Sequence, residues 1–207
     1  MTNYAQTERH ALADLLDRVG PNVATLCGTW TSADLAAHLV VRERRPDGAV
    51  GIVVPAFSAR AEKVRLAVRD AHRWPDLVDK VRRGPPLVIR PLDAAINTVE
   101  FFVHHEDVRR ASGEVEARPL PADEEATLWS RLGLMGRLLL KASPVGVEVI
   151  ATEHGRARCK GGPPSVTVTG APSELVLFAY GRQAQAMVEL EGDDLSISRL
   201  RAAPLGI

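Results

Sequence analysis

The sequence has little cysteine and no excess charge of either sign. Its 207 residues include two cysteines, Cys27 and Cys159, which lie far apart and form no CxxC pattern. This spacing argues against a zinc ribbon, a thioredoxin-like redox motif and a disulfide framework. Lysine and arginine number 26, as do aspartate and glutamate, so the formal net charge is zero. Without a global basic field, we expect no nucleic-acid partner and no attraction to an anionic membrane.

Long apolar runs and targeting segments are also missing. The longest loosely apolar stretch, residues 49–59, contains Gly51 and Pro55 and is too short to span a bilayer. Residues 1–8 have neither the basic segment nor the apolar segment of a secretion signal. We therefore expect a soluble, cytoplasmic protein with reduced thiols. The sequence also lacks a GxSxG motif, a P-loop and a GxGxxG motif after a strand, which argues against the familiar hydrolase and nucleotide-binding folds.

The first half of the chain has the spacing of helices. Hydrophobic residues make up 45% of the sequence and charged residues 25%, enough for an ordinary globular core. Apolar residues recur at helical intervals, and Thr31 and Asp34 have the spacing of a capping box. We predict a loop over Asp47–Ser58. The predicted helices cover about residues 4–19, 32–44, 59–72, 74–81, 92–111 and 121–140.

The second half changes to alternating patterns. Val145–Ile150 and Val166–Thr169 are predicted strands, and Glu174–Ala179 is a predicted helix. Met187–Leu190 and Leu195–Ser198 flank a turn-like segment and are predicted to form a hairpin. The fold class is therefore α+β. We predict a helical domain over residues 1–115, and a helix with a small α+β domain over residues 116–207.

The chemistry is concentrated in three residues. Glu100 and His104 are four residues apart in a predicted helix, so their side chains leave the same face. His38 interrupts the apolar run of another predicted helix. If the three meet, two imidazoles and a carboxylate form a three-ligand metal site with one open position, as in catalytic zinc sites.

An ordinary structural explanation competes with this one. A single histidine in an apolar run is usually a satisfied core residue, and a Glu-x-x-x-His pair is common between helix neighbours. Glu100, however, shares a stripe with Val99 and Val103, where a carboxylate needs a partner or a metal. His105 is a second-sphere donor or simply exposed. Residues 106–110 have the charge pattern of a solvated face, with Asp107 as a possible exception near the site.

Three segments carry a resemblance to a known family. Trp30–Leu39 resembles the second-helix motif of DinB-like metal-binding bundles. Glu100–His104, followed by His105–Asp107, resembles the fourth-helix motif of the actinobacterial branch typified by mycothiol-dependent maleylpyruvate isomerase. Val168–Arg182 resembles the C-terminal-domain helix of that family, which ends in Gly-Arg. The resemblance covers nearly the whole chain.

The resemblance implies a DinB-like four-helix bundle that binds a divalent metal, zinc before nickel, cobalt or iron, through His38, Glu100 and His104. It further implies an enzyme that uses mycothiol or a similar low-molecular-weight thiol. The metal would activate the thiolate toward an electrophilic small molecule, as in an isomerase or a thiol S-transferase. Arg182 would hold anionic groups, although a role at the end of its helix fits equally well.

Several alternatives stay open at this level. The bundle could be a metal-binding or ligand-binding module without catalysis, or a hydrolase that uses metal-bound water, for which Glu106 or Asp107 would have to be the base. Arg42 and Arg44 either face the mouth of the site or complement the helix dipole, and the second is favoured. The chain is shorter than the isomerase, so maleylpyruvate is not carried over as the substrate. The oligomeric state, monomer or homodimer, is open.

Overall fold

The computed structural model has an α+β fold in two compact units, Met1–Glu114 and Val115–Ile207. It describes residues 2–53, 55–88, 90–111, 113 and 116–206. The division between the units lies one residue before the predicted domain boundary. The structure does not describe Val115, at that boundary, or Ser112, where a helix was predicted to end. Among the described residues, no helix is both long and apolar enough to cross a membrane.

The first unit is helical, and most of its helices begin and end as predicted. Asn3 caps the first helix, and the predicted capping box of Thr31 and Asp34 is present at the start of the second. The unit contains α1 (Tyr4–Val19), α2 (Ser32–Arg44), α3 (Pro46–Val53), α4 (Ser58–Asp70), α5 (Trp74–Arg83) and α6 (Asp93–Ala111), with 3-10 turns at Pro55–Phe57 and Arg90–Leu92.

A single apolar core holds these helices together. It buries leucines of α1 and α2, valines of α4 and α5, and Phe101 of α6. Trp30 and Cys27, which precede α2, pack against this core while staying partly exposed. Since burial of apolar surface is the main favourable term in folding, the packing fixes α2 beside α6.

The predicted loop over Asp47–Ser58 is wrong, because α3 occupies Pro46–Val53. Proline is favoured at the first position of a helix, where its missing N–H is not needed. A Cβ atom on Gly48 would lie 2.7 Å from Cγ1 of Val41 and 2.9 Å from Cγ1 of Val64. The glycine that suggested a loop instead lets α3 approach its neighbours closely.

The predicted solvated face over residues 106–110 is also wrong. Glu106, Asp107, Arg109 and Arg110 are all buried. The guanidinium groups of Arg109 and Arg110 donate to the Glu106 carboxylate at 2.7 and 2.6 Å, respectively. The charged residues of this segment therefore form a buried ion-pair cluster in α6, where pairing offsets the free-energy cost of burying their charges.

The second unit packs helices on a small mixed sheet. The sheet has the strand order β2-β1-β3-β4, with β1 antiparallel to β2 and parallel to β3, and with β3 antiparallel to β4. Its elements are α7 (Ala122–Leu139), β1 (Gly146–Ala151), β2 (Gly155–Lys160), β3 (Ser165–Thr169), α8 (Pro172–Ala179), β4 (Glu189–Glu191) and α9 (Asp194–Arg201).

The predicted hairpin in this unit is wrong. Its first strand survives as β4, which pairs with β3, but residues 195–198 belong to α9. The Asp193 side chain accepts a hydrogen bond from the Ser196 amide at 3.0 Å and so caps the helix. Ser196 and Leu200, four residues apart, are the buried positions of α9. The alternating pattern over residues 195–198 therefore belongs to a helix and not to the second strand of a hairpin.

Candidate metal centre

The three predicted ligands meet between α2 and α6. His38 Nε2 lies 3.3 Å from Glu100 Oε1, and His104 Nε2 lies 3.2 Å from the same oxygen. The imidazole rings of His38 and His104 pack edge to face, with centroids 5.3 Å apart. The capping box fixes the residue at which α2 begins and so the face on which His38 lies. In α6, the four-residue spacing places Glu100 and His104 on one face.

Two of the three distances between the donor atoms are compatible with a tetrahedral metal site. One ligand atom from each of His38, Glu100 and His104 lies within 4.8 Å of the others. Ligand bonds of about 2.0–2.2 Å in tetrahedral geometry put neighbouring donor atoms about 3.3–3.6 Å apart. Both imidazole-to-carboxylate distances lie near this range. The set of two nitrogens and one oxygen suits zinc, nickel, cobalt and iron.

Asp107 orients His104 through Nδ1, the ring nitrogen that does not face Glu100. Its Oδ2 accepts a hydrogen bond from His104 Nδ1 at 2.9 Å, and the carboxylate is fully buried. Once His104 is neutral and its remaining proton lies on Nδ1, the lone pair of Nε2 points toward Glu100 and His38. A carboxylate behind a metal-binding histidine is the usual arrangement in metalloproteins. The sequence analysis named Asp107 as a possible exception near the site, and the structure places it in contact with His104.

Cys27 completes this cluster and was missed by the sequence analysis. Its thiol donates to Asp107 Oδ2 at 3.0 Å, and Sγ lies 3.7 Å from His104 Nδ1. Cys27, His104 and Asp107 thereby form a second set of three side chains that could hold a metal ion, and this set shares His104 with the first. The loop before α2 is held in place by the Leu26 amide, which donates to the Asp107 carbonyl at 3.1 Å. No periodic pattern marks a loop cysteine that only tertiary packing brings to α6.

Arg42 faces the site, which is the less favoured of its two interpretations from the sequence. Its Nε lies 3.2 Å from Glu100 Oε1, and its Nη1 donates to Asn97 Oδ1. Arg42 lies one helical turn after His38 and on the same face of α2. Arg44, by contrast, donates to the Gly84 carbonyl at 2.5 Å and is not among the groups that contact Glu100.

The electrostatics of the site follow from this packing. Burial raises the pKa of Glu100, but the hydrogen bonds from His104 and His38 and the charges of His104 and Arg42 outweigh it, so the pKa lies well below its usual value. Burial lowers the pKa of His38, and the positive charges of His104 and Arg42 add to this effect. Glu100 is therefore ionised and His38 neutral, the forms that bind metals.

His104 differs from His38 because of Asp107. Burial lowers its pKa, but hydrogen bonds with Asp107, Cys27 and Glu100 outweigh burial and hold the pKa well above its usual value. His104 is consequently the ligand that must lose a proton before its Nε2 can bind a metal.

The other predicted candidates, His105 and Arg182, have partners of their own. His105 is buried, and its Nδ1 lies 2.9 Å from Glu8 Oε2, so it is neither exposed nor a donor to the three ligands. Arg182 follows α8 in the second unit, where its Nη1 donates to the Tyr180 carbonyl at 2.5 Å, as the helix-end role predicts. His72 is bonded to the Val68 carbonyl, and His10 is exposed.

Comparisons with known proteins add no relative. No family model, no curated protein and no solved structure matches the chain. Any function must therefore be argued from the geometry and the charges of the site itself.

Proposed function

We propose that the first unit is a DinB-like bundle that binds a divalent metal of the zinc type through His38, Glu100 and His104. One observation carries the proposal: donor atoms from two helices converge at 3.2 and 3.3 Å around Glu100 Oε1. The hydrogen bond from His104 Nδ1 to Asp107 supports it, because it directs the remaining lone pair of His104 into the same space. A merely structural Glu–His pair needs neither the second imidazole nor a buried carboxylate behind it.

The charges of the chain favour an anion at the fourth position. Glu100 contributes one negative charge, the two metal-bound imidazoles are neutral, and Arg42 adds a positive charge 3.2 Å from Glu100 Oε1. When bound, the metal lowers the pKa of a thiol or water that ligates it. With a divalent ion, and with the Asp107 carboxylate behind His104 counted, the local charge is about +1, which stabilises a thiolate at neutral pH.

We infer that the reaction uses a low-molecular-weight thiol such as mycothiol. In an isomerase, the thiolate sulfur would add to an electrophilic carbon of a substrate double bond, whose π electron pair moves to the conjugated group and returns when the thiolate is expelled. In a thiol S-transferase, the sulfur would instead displace a leaving group that departs with its bonding electron pair. His38, Glu100 and His104 would hold the ion, Asp107 would fix the tautomer of His104, and Arg42 would balance the charge of Glu100. The role of Arg182 in holding anionic groups stays a prediction from the resemblance, and its bond to the Tyr180 carbonyl supports the helix-end role.

The contacts of the neighbouring acids weigh against the hydrolase alternative. Metal-bound water would need a general base, and the sequence offered Glu106 or Asp107. Glu106 is paired with Arg109 and Arg110, and Asp107 with His104 and Cys27. A binding module without catalysis stays an alternative on the same scaffold.

Thiolate ligation can be tested on the cobalt-substituted protein. We expect addition of mycothiol, or of a surrogate such as N-acetylcysteine, to produce a sulfur-to-cobalt charge-transfer band. The Arg42→Gln variant should still bind cobalt, but its affinity for the thiol should be about tenfold lower, because a positive charge near the thiolate is lost. A cobalt protein whose visible spectrum does not change with either thiol would refute thiolate ligation and favour water or a non-thiol ligand.

A further inference from the structure

A cavity of about 470 Å³ adjoins the metal centre on the His38 side. This volume lies within the range of small-molecule sites, about 300–1,000 Å³. Of the three proposed metal ligands, His38 is the one that lines it, so the cavity meets the site at that ligand. The residues that determine its chemistry are Trp30, His38, Val41, Ala61, Glu62 and Arg65.

The walls of the cavity are mainly apolar. Trp30 and Val41 form one side with His38, and α4 forms the other with small side chains, Ala59, Ala61 and the hydroxyl-bearing but uncharged Ser58. The Trp30 and His38 ring centroids are 5.1 Å apart with a tilt of 48°, so the indole is next to the proposed ligand. A flat aromatic ring and small opposing side chains leave space for another ring, which stacks well on tryptophan.

The charged groups of the cavity are already paired with each other. Arg65 donates to both carboxylate oxygens of Glu62, at 2.9 and 2.6 Å, and also to Asp34. Its guanidinium carbon lies 4.7 Å from the centroid of the Trp30 ring. Asp34 also accepts from Arg69, which pairs in addition with the exposed Asp70, so each of these charges has a partner of opposite sign. A charged ligand would lose water here without gaining a free partner.

We propose that this cavity binds an uncharged, apolar or aromatic group of the substrate that reacts at the metal centre. The inference rests on the proposed function, since it assigns the substrate class for the same site. A molecule with its apolar group against Trp30 would place its reactive end beside His38. The electrophile is then a compact hydrophobic compound and not a small dianion.

The cavity itself can be tested without any metal. The full chain with excess chelator is titrated with the neutral naphthalene dye 6-propionyl-2-dimethylaminonaphthalene, and its fluorescence is followed. Ala61→Phe and Ala59→Phe place a ring in the cavity, whereas Ala67→Phe makes the same change on an exposed position of α4. We expect both cavity variants to weaken dye binding by about tenfold or more and the control to stay within about twofold.

The choice of ligand class is tested by competition against the same dye. Benzyl alcohol should displace the dye at concentrations about tenfold lower than benzoate or benzylammonium, because the paired charges leave no group for either ion. Equal displacement by all three, or unchanged dye binding in both cavity variants, would overturn the proposal.

The link to the metal centre has its own measurement. In the cobalt protein, phenylmethanethiol should bind about tenfold more tightly than ethanethiol, and Ala61→Phe should remove this preference while cobalt and ethanethiol still bind. If cobalt does not bind, the proposed function fails while the dye still reports on the cavity. If both thiols bind with equal affinity in the wild type, the cavity does not serve the metal centre and the inference fails.

Discussion

Replacement of Asp107 offers the sharpest single test of how the site is built. The side chain is fully buried, and it accepts from His104 Nδ1 at 2.9 Å and from the Cys27 thiol at 3.0 Å. It lies on the same face of α6 as Glu100 and His104, but in the proposed site it contacts His104 and is not itself a ligand. Its loss should therefore weaken metal binding without removing a ligand.

The expected loss of metal affinity follows from the groups that remain around His104. Residues behind metal ligands typically contribute about 10–100-fold to metal affinity. Asp107→Asn keeps an acceptor for Nδ1–H and loses the charge, so we expect a loss of about tenfold, or about 1.4 kcal/mol. Asp107→Ala also frees the ring to rotate or change tautomer, and we expect about 100-fold, or about 2.7 kcal/mol. The main-chain bond from the Leu26 amide to the Asp107 carbonyl is unaffected by either change.

The assay is competition for zinc with a chromophoric chelator, at fixed pH and with folding checked by circular dichroism. Asp76→Asn, at an exposed position of α5, is the matched control and should change nothing. Wild-type affinity in Asp107→Ala would refute the role given to Asp107. Cys27→Ala separates the two possible sets of ligands: we expect affinity within about twofold of wild type, whereas loss of metal would place the ion between Cys27, Asp107 and His104.

Three further outcomes follow from the described contacts. The raised pKa keeps His104 protonated, so a proton must leave before zinc can bind. Zinc affinity should therefore fall about tenfold for each pH unit below that pKa, and calorimetry in several buffers should find that about one proton is released on binding. The lowered pKa of Asp34 means that its contribution to stability is present above the ordinary value of 3.8 and is lost as the pH falls. Asp34→Ala should cost about 1–3 kcal/mol in urea unfolding, because it removes the acid of the α2 capping box and one of the two acids bonded to Arg65. In α7, Gly133→Ala should stabilise the protein by about 0.5–1 kcal/mol, because a Cβ there meets nothing within 4 Å. Gly136→Ala should destabilise it by about 1–3 kcal/mol, since its Cβ would lie 2.6 Å from Cys159 Sγ.

Features that depend on local sequence were predicted well. Helical periodicity located α1, α2 and α6, and the capping box fixed the start of α2. The four-residue spacing of Glu100 and His104 is a local property of a helix, so their common face followed directly. The meeting of these two with His38 could only be proposed, because it depends on how two helices pack.

The errors arose where tertiary packing overrides a local signal. The glycines and the proline of residues 47–58 suggested a loop, but Pro46–Val53 is a helix in which Gly48 lies close to Val41 and Val64. The charges of α6 suggested a solvated face because the sequence does not show that Glu106 has two arginine partners inside the protein. Likewise, Cys27 and Arg42 reach the site through packing between elements, which leaves no periodic trace in the sequence.

The central claim is that one divalent ion binds between α2 and α6. The most direct test is zinc and cobalt content per chain after reconstitution, for the wild type and for His38→Ala, Glu100→Ala and His104→Ala, with His72→Ala as a control histidine whose contact is the Val68 carbonyl. We expect about one ion per chain in the wild type and the control, and a loss of at least about 100-fold in affinity in each ligand variant. Full metal content in all three ligand variants, or less than about a tenth of an ion in the wild type, would contradict the account.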